Sequence, residues 1–200
     1  MNLIIAVLVS IFLFQENNPP VVKISAPVSG SLNSIIRYSI NVSDKEDGDT
    51  RYDEIDPNQI LLMVSSGKDT SKNDKVILHS MMASNCMNCH LFNSKLIGPS
   101  FSDISKRYAS SANIGDIVKR VRDGSKGIWG DNVMPTHSEL SAGLTEKMVK
   151  WILSFNKKNV EYYLGKEGSI RLQKPVVLTV SYVDHNNAMG EDQVSIQVKK

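Results

Sequence analysis

The sequence predicts an α + β multidomain chain in which an all-α module is inserted between β-strand flanks that form one small β-sandwich. Three observations carry that expectation. Residues 19–66 and 168–200 alternate apolar and polar side chains with the period of two of a half-buried strand. Between them apolar residues recur at helical spacing, as at Ile114, Ile117, Val118 and Val121. Polar stretches, GKDTSKN at 67–73 and NKKNVEYYLGKEG at 156–168, separate the two patterns and mark hinges. The expected division is a signal-like apolar segment at 1–18, an N-terminal β half at 19–73, a helical module at 74–157, and a linker with the C-terminal β half at 158–200. A chain of 200 residues with 41% apolar content suits one or two domains.

MNLIIAVLVSIFLF, residues 1–14, is apolar except for Asn2 and Ser10. It is short for a membrane span and suits the core of a signal peptide. No Lys or Arg precedes it and no small-x-small cleavage site is clear before Gln15, so a cleaved signal, an uncleaved anchor and the start of a longer protein all stay open. Membrane contact is expected only through this segment, if uncleaved. Strands follow at Val21, Val22 and Ile24; at Ile36, Tyr38, Ile40 and Val42; and at Ile60, Leu62 and Val64. The C-terminal flank repeats the pattern at Ile170 and Leu172, at Val176, Leu178, Val180 and Tyr182, and at Val194, Ile196 and Val198. Three strands give a thin sheet with a bare apolar face; six together can close a sandwich. Two separate β-appendages are the alternative. In SDKEDGDTRYDEID (43–56), Asp44, Asp47, Asp49 and Asp53 supply hard oxygens suited to calcium, without the spacing of an EF-hand. A solvated acidic hairpin accounts for them equally well.

Asn73 or Asp74 is placed to cap a helix through KVILHSMMAS, with His79 a surface or partly buried residue of that helix. That helix runs into SNCMNCHLF, which holds the only two cysteines, Cys86 and Cys89, with His90 directly after. A dithiol redox pair usually sits at a helix start near a βαβ pattern, and none is visible. Zinc needs four ligands, whereas His79, His137 and His185 are scattered singly. Covalent haem c fits: Cys86 and Cys89 reach one haem edge as thioethers, and His90 points its imidazole at the iron. The second axial ligand of such an iron is most often Met. Met134 lies in GSKGIWGDNVMPTH, a glycine-rich loop followed by Pro135, which can wrap over a flat ring; packing on the core is the alternative. Met148 keeps helical spacing with Ile152 and Phe155 and reads as core. A short helix is expected from Asp103 to Tyr108, Gly124 ends the helix through Val121, and Thr145 caps the last one.

CMNCH, IGPSFSDISKRY, GSKGIWGDNVMP and EKMVKWILSF, in this order, resemble a small bacterial class I cytochrome c with a short methionine loop. The resemblance covers 74–157, well under half of the chain. It implies that Cys86 and Cys89 bind haem, that His90 and Met134 ligate its iron, and that the Pro99 carbonyl holds the other ring nitrogen of His90. It implies that Trp129 packs on the haem edge near a propionate, an ordinary core aromatic being the alternative. The last helix would cross the first near Trp151. The implied function is electron transfer rather than catalysis, in the periplasm or secreted, with redox partner proteins such as a dehydrogenase donor or an oxidase acceptor. Similar modules are fused to secreted dehydrogenases, so an electron-accepting module of a larger enzyme stays open. A haem sensor or enzyme with a displaceable Met ligand also does, with His137 as the acid–base group near Met134. The flanks are loosely similar to immunoglobulin-like modules of secreted bacterial proteins. Residues 74–157 carry eleven Lys and Arg against seven Asp and Glu, dispersed and without a recognition motif, which argues against nucleic acid.

Overall fold

A computed structural model describes residues 17–66, 72–110, 113–157 and 159–199. The apolar stretch at 1–14 and most of the expected hinge at 67–73 lie outside them. The strands are β1 (Val21–Ser25), β2 (Ser29–Ser31), β3 (Ile35–Asp44), β4 (Gly48–Asp49), β5 (Leu61–Ser65), β6 (Val160–Leu164), β7 (Glu167–Arg171), β8 (Val176–Val183) and β9 (Met189–Lys199). The helices are α1 (Lys72–Ala83), α2 (Phe101–Tyr108), α3 (Ile114–Asp123) and α4 (Ala142–Ser154).

The protein is thus a mixed α/β chain with four helices and two sheets among the described residues. A five-stranded sheet runs β2-β9-β8-β5-β6, and a second joins β1, β4 and β7 to β3. Both sheets mix strands from before and after the helices. β5 pairs with β8 and β6 from the far flank, and β3 pairs with β7, all antiparallel. β3 shows why: its even positions Ile36, Tyr38, Ile40 and Val42 are buried while Ile35 and the polar residues between them are exposed, the period-two pattern that needs a cover on one face. Val22, Ile36 and Val42 meet Leu62, Leu178, Val180 and Ile196 in one apolar cluster fed by both sheets.

β5 departs from the one-faced strand expected at Ile60, Leu62 and Val64, because all five of its residues are buried. Its other face, Leu61 and Met63, enters a second cluster with Tyr162 of β6, Leu78 and Met81 of α1, Met148 and Trp151 of α4, and Phe92, Phe101 and Phe155. The outer face of the five-stranded sheet is therefore a wall of the helical core. Tyr162 lies 5.3 Å from Trp151 and 5.5 Å from Phe92, ring centre to centre. The expected linker at 156–168 instead holds β6 at its centre, where Val160, Tyr162 and Leu164 pack on the helices.

Polar contacts fix α1 on this sheet. His79 lies deeper than the surface or partly buried position expected of it, at 8% exposure, its Nε2 2.9 Å from Ser181 Oγ. Lys75 Nζ donates to Glu191 at 2.7 Å and the Tyr162 hydroxyl to Asp74 at 2.9 Å. α1 begins at Lys72, so Asn73 and Asp74 are helical and its cap lies outside the described residues. Ser141, not Thr145, caps α4: its hydroxyl accepts from the Leu144 N–H, while buried Thr145 donates back to the Ser141 carbonyl inside the first turn. Gly124 ends α3 at φ 80° as expected. The four aspartates of the acidic stretch do not gather. Asp49 pairs with Arg51 at 2.6 Å, Asp53 with Lys166, and Asp47 with His185 and Tyr182. No described helix is long and apolar enough to cross a membrane.

Candidate functional site

α1 ends at Ala83, and two residues on Asn85, with a φ of 59°, turns the chain into a tight loop over Cys86–Asn88. The N–H of His90 donates to the Cys86 carbonyl at 3.0 Å, so one turn sets both thiols and the imidazole on the same side. Both cysteines are free and partly buried, and burial pushes the Cys86 thiol up to about 11, keeping it neutral. The His90 ring lies nearly parallel to Phe101 at 5.7 Å. Its Nδ1 is 2.7 Å from the Pro99 carbonyl oxygen. A carbonyl can only accept, so Nδ1 carries the proton and Nε2 keeps its lone pair. Burial lowers the pKa of this ring, with the Pro99 bond opposing, which favours the neutral imidazole. Gly98 is required here: a Cβ would come within 2.5 Å of His90 Cε1.

The loop after α3 also borders this site. Ser125 and Met134 exchange backbone hydrogen bonds of 3.1 and 2.9 Å and close its base. Gly124, at positive φ, lets the Met134 carbonyl approach where a Cβ would meet it at 2.9 Å. Within the loop Trp129 is half-buried, edge-on to Tyr108, with the Arg107 guanidinium 4.5 Å over its ring. Asn132 Nδ2 donates to the Ile97 carbonyl at 2.7 Å and clips this loop to the Gly98–Pro99 segment. Sequence reasoning missed Asn132, because nothing local marks a bond across 35 positions.

Between the walls lies a cleft of about 320 Å³, with Met148, Val149 and Ile152 of α4 lining it. All six residues singled out in the sequence, Cys86, Cys89, His90, Pro99, Trp129 and Met134, border this cleft. Met148 is both core and cleft wall, and His137 also borders it, its Nδ1 3.0 Å from Glu139. A largely apolar cofactor suits a cleft bordered by two thiols, an imidazole and a thioether among mostly apolar side chains. Among the described residues no three His, Cys, Asp or Glu side chains are grouped to hold a metal ion.

No family model matches the chain. Cytochrome c-551 of Pseudomonas aeruginosa is 31% identical over 70 residues, which span 34% of this chain and 66% of that protein. Cytochrome c-551 of Azotobacter vinelandii is 34% identical over 70 residues, 34% of this chain and 84% of the relative. The crystal structure of Nitrosomonas europaea cytochrome c552 aligns at 29% identity over 38% of this chain and 94% of that one, with a TM-score of 0.36. The site and these relatives define a haem c protein of electron transfer, with iron as the redox centre. The chain belongs to the class I cytochrome c family.

Proposed function

We propose that this chain is a periplasmic or secreted electron carrier, in which Cys86 and Cys89 hold haem c through thioethers and His90 Nε2 and the Met134 sulfur ligate its iron. The observation that carries the reading is the 2.7 Å bond from His90 Nδ1 to the Pro99 carbonyl. It leaves Nε2 as the ligating atom and raises its donor strength. The backbone bonds between Ser125 and Met134 hold the base of the loop that carries Met134 at the cleft, which supports Met134 as the second ligand. Bound haem iron supplies a one-electron Fe(II)/Fe(III) couple. The soft Met134 thioether favours the reduced state, and two protein ligands leave no position for substrate. Phe101, Met148, Val149 and Ile152 make the wall apolar, which excludes water and limits reorganisation. Trp129, capped by Arg107, is read as the residue at the haem edge near a propionate.

The strands of both flanks are read as one small sandwich split by the helical module, which leaves between β5 and returns at β6. The shared apolar cluster and the mixed sheets support this. One observation favours a second reading, as the electron-accepting module of a larger secreted dehydrogenase with the β body as docking piece. β5 and β6 complete the helical core, so the module is carried rigidly rather than on a tether.

Visible spectroscopy of the haem-loaded protein tests the ligand pair. Met134→Ala should abolish the weak red band of Met–iron bonding and lower the potential. Met148→Ala should cost about 2–5 kcal/mol of stability and leave the spectrum nearly intact. The reverse pattern would reassign the ligand.

A further inference from the structure

The loop that carries Met134 is tied unevenly. Its first half rests on α2, where the Arg107 guanidinium donates to the Ile128 carbonyl at 2.9 Å and covers the Trp129 ring. Little covers its second half. A Cβ on Gly130 would meet nothing within 4 Å, and Val133 is 61% exposed although apolar. Burial therefore does little to hold residues 130–133. Among the described residues, the only hydrogen bond from that stretch to another segment runs from Asn132 Nδ2 to the Ile97 carbonyl. The anchor it takes is firm. Gly98, next to Ile97, donates its N–H to the Cys89 carbonyl at 2.9 Å and lies against the His90 ring, and the Pro99 carbonyl accepts from His90 Nδ1. Asn132 thus joins the lightly held side of the Met134 loop to the segment that orients His90.

We propose that Asn132 is a positioning residue for Met134: its bond to Ile97 latches the loop, and so sets how often the sulfur leaves the iron and how readily a small outside base takes its place. The inference rests on Met134 being the second ligand. The Ser125 pair holds the Met134 backbone from one side, and the latch holds the chain that enters it from the other. Departure of the sulfur is then a local opening of residues 130–133, with the Arg107 contacts and the core left in place. An outside ligand binds only the open fraction, so its apparent affinity measures that fraction. Loss of one such hydrogen bond raises the fraction about 2- to 10-fold. The oxidised protein is the form to probe, since a soft thioether favours the reduced iron.

The test is an imidazole titration of the oxidised, haem-loaded full chain, followed by loss of the weak red band of Met–iron bonding. Asn132→Ala and Asn132→Leu, the second close to Asn in shape but without a donor, should each bind imidazole about 2- to 10-fold more tightly than the parent. In a Met134→Ala background, where no sulfur competes, Asn132→Ala should add nothing. Equal affinities in the parent and both variants, with the red band present, would overturn the latch and leave Met134 as the ligand. Tighter binding in Asn132→Ala alone would assign the effect to packing, and a gain that persists in the Met134→Ala background would assign it to cleft access; either result overturns the latch. A parent without the red band would overturn the ligand reading itself, and the latch with it.

Discussion

His79 shows how far one side chain can depart from its sequence context. On α1 it follows Val76, Ile77 and Leu78, and it meets Ser181 across the sheet. Burial, with the nearby Lys75 charge adding, drives its pKa from 6.5 down to about 4. In the unfolded chain the imidazole takes up a proton near pH 6.5, and in the folded chain only near pH 4. Its contribution is therefore complete above pH 6.5 and is lost as the pH falls through 4, up to roughly 3 kcal/mol in all. Urea midpoints of the parent should fall across that window more steeply than those of His79→Gln, which cannot titrate; parallel curves would remove His79 as the cause. Legibility at this scale follows sequence distance. Cys86, Cys89, His90 and Pro99 fall within fourteen residues and use local turn geometry, so a short motif suffices. Of the four aspartates that the acidic stretch offered together, Asp44, Asp47, Asp49 and Asp53, the last three take partners of their own, two of them more than a hundred positions away, which no local pattern shows.

Among the elements, β5 and β6 carry most of what the sequence concealed. LLMVS reads as alternating because Leu62 and Val64 keep period two, but Leu61 and Met63 between them are equally apolar. Such a strand is buried on both faces, and only the position of the helices says what covers the second. For β6 the polar flanks of VEYYL hid a strand whose Tyr162 is 2% exposed. Because Tyr162 packs among Phe92, Trp151 and Phe155, tilted to two of the rings and edge-on to Trp151, Tyr162→Ala should cost about 3–5 kcal/mol, as other aromatic truncations in cores do. Tryptophan fluorescence should report the loss, since Trp151 is in contact. Leu62→Ala, on the other face of the same ladder, should destabilise the β body with a weaker fluorescence change in the native state. Equal changes from both would deny that the two faces serve different cores.

For the whole molecule, an inserted module suggests two units that could be separated, since its ends return to neighbouring strands β5 and β6. The clusters argue otherwise. Residues 74–157 alone would expose Phe92, Trp151 and Phe155 where Leu61, Met63 and Tyr162 now cover them, so the excised helices should bind haem but melt well below the full chain. Conversely, joining residue 66 to residue 159 through a short flexible linker keeps every strand. It leaves Leu61, Met63 and Tyr162 in water, a bare apolar patch that favours aggregation. Replacing these three by Thr keeps strand propensity and removes the patch. That joined variant should melt cooperatively by circular dichroism, while the unsubstituted one should associate in sedimentation. Neither flank alone should fold, because each sheet takes strands from both. In the intact protein, haem absorbance and far-ultraviolet dichroism should lose their native values in a single coincident transition. Two well-separated transitions would mean that β5 and β6 do not couple the two cores.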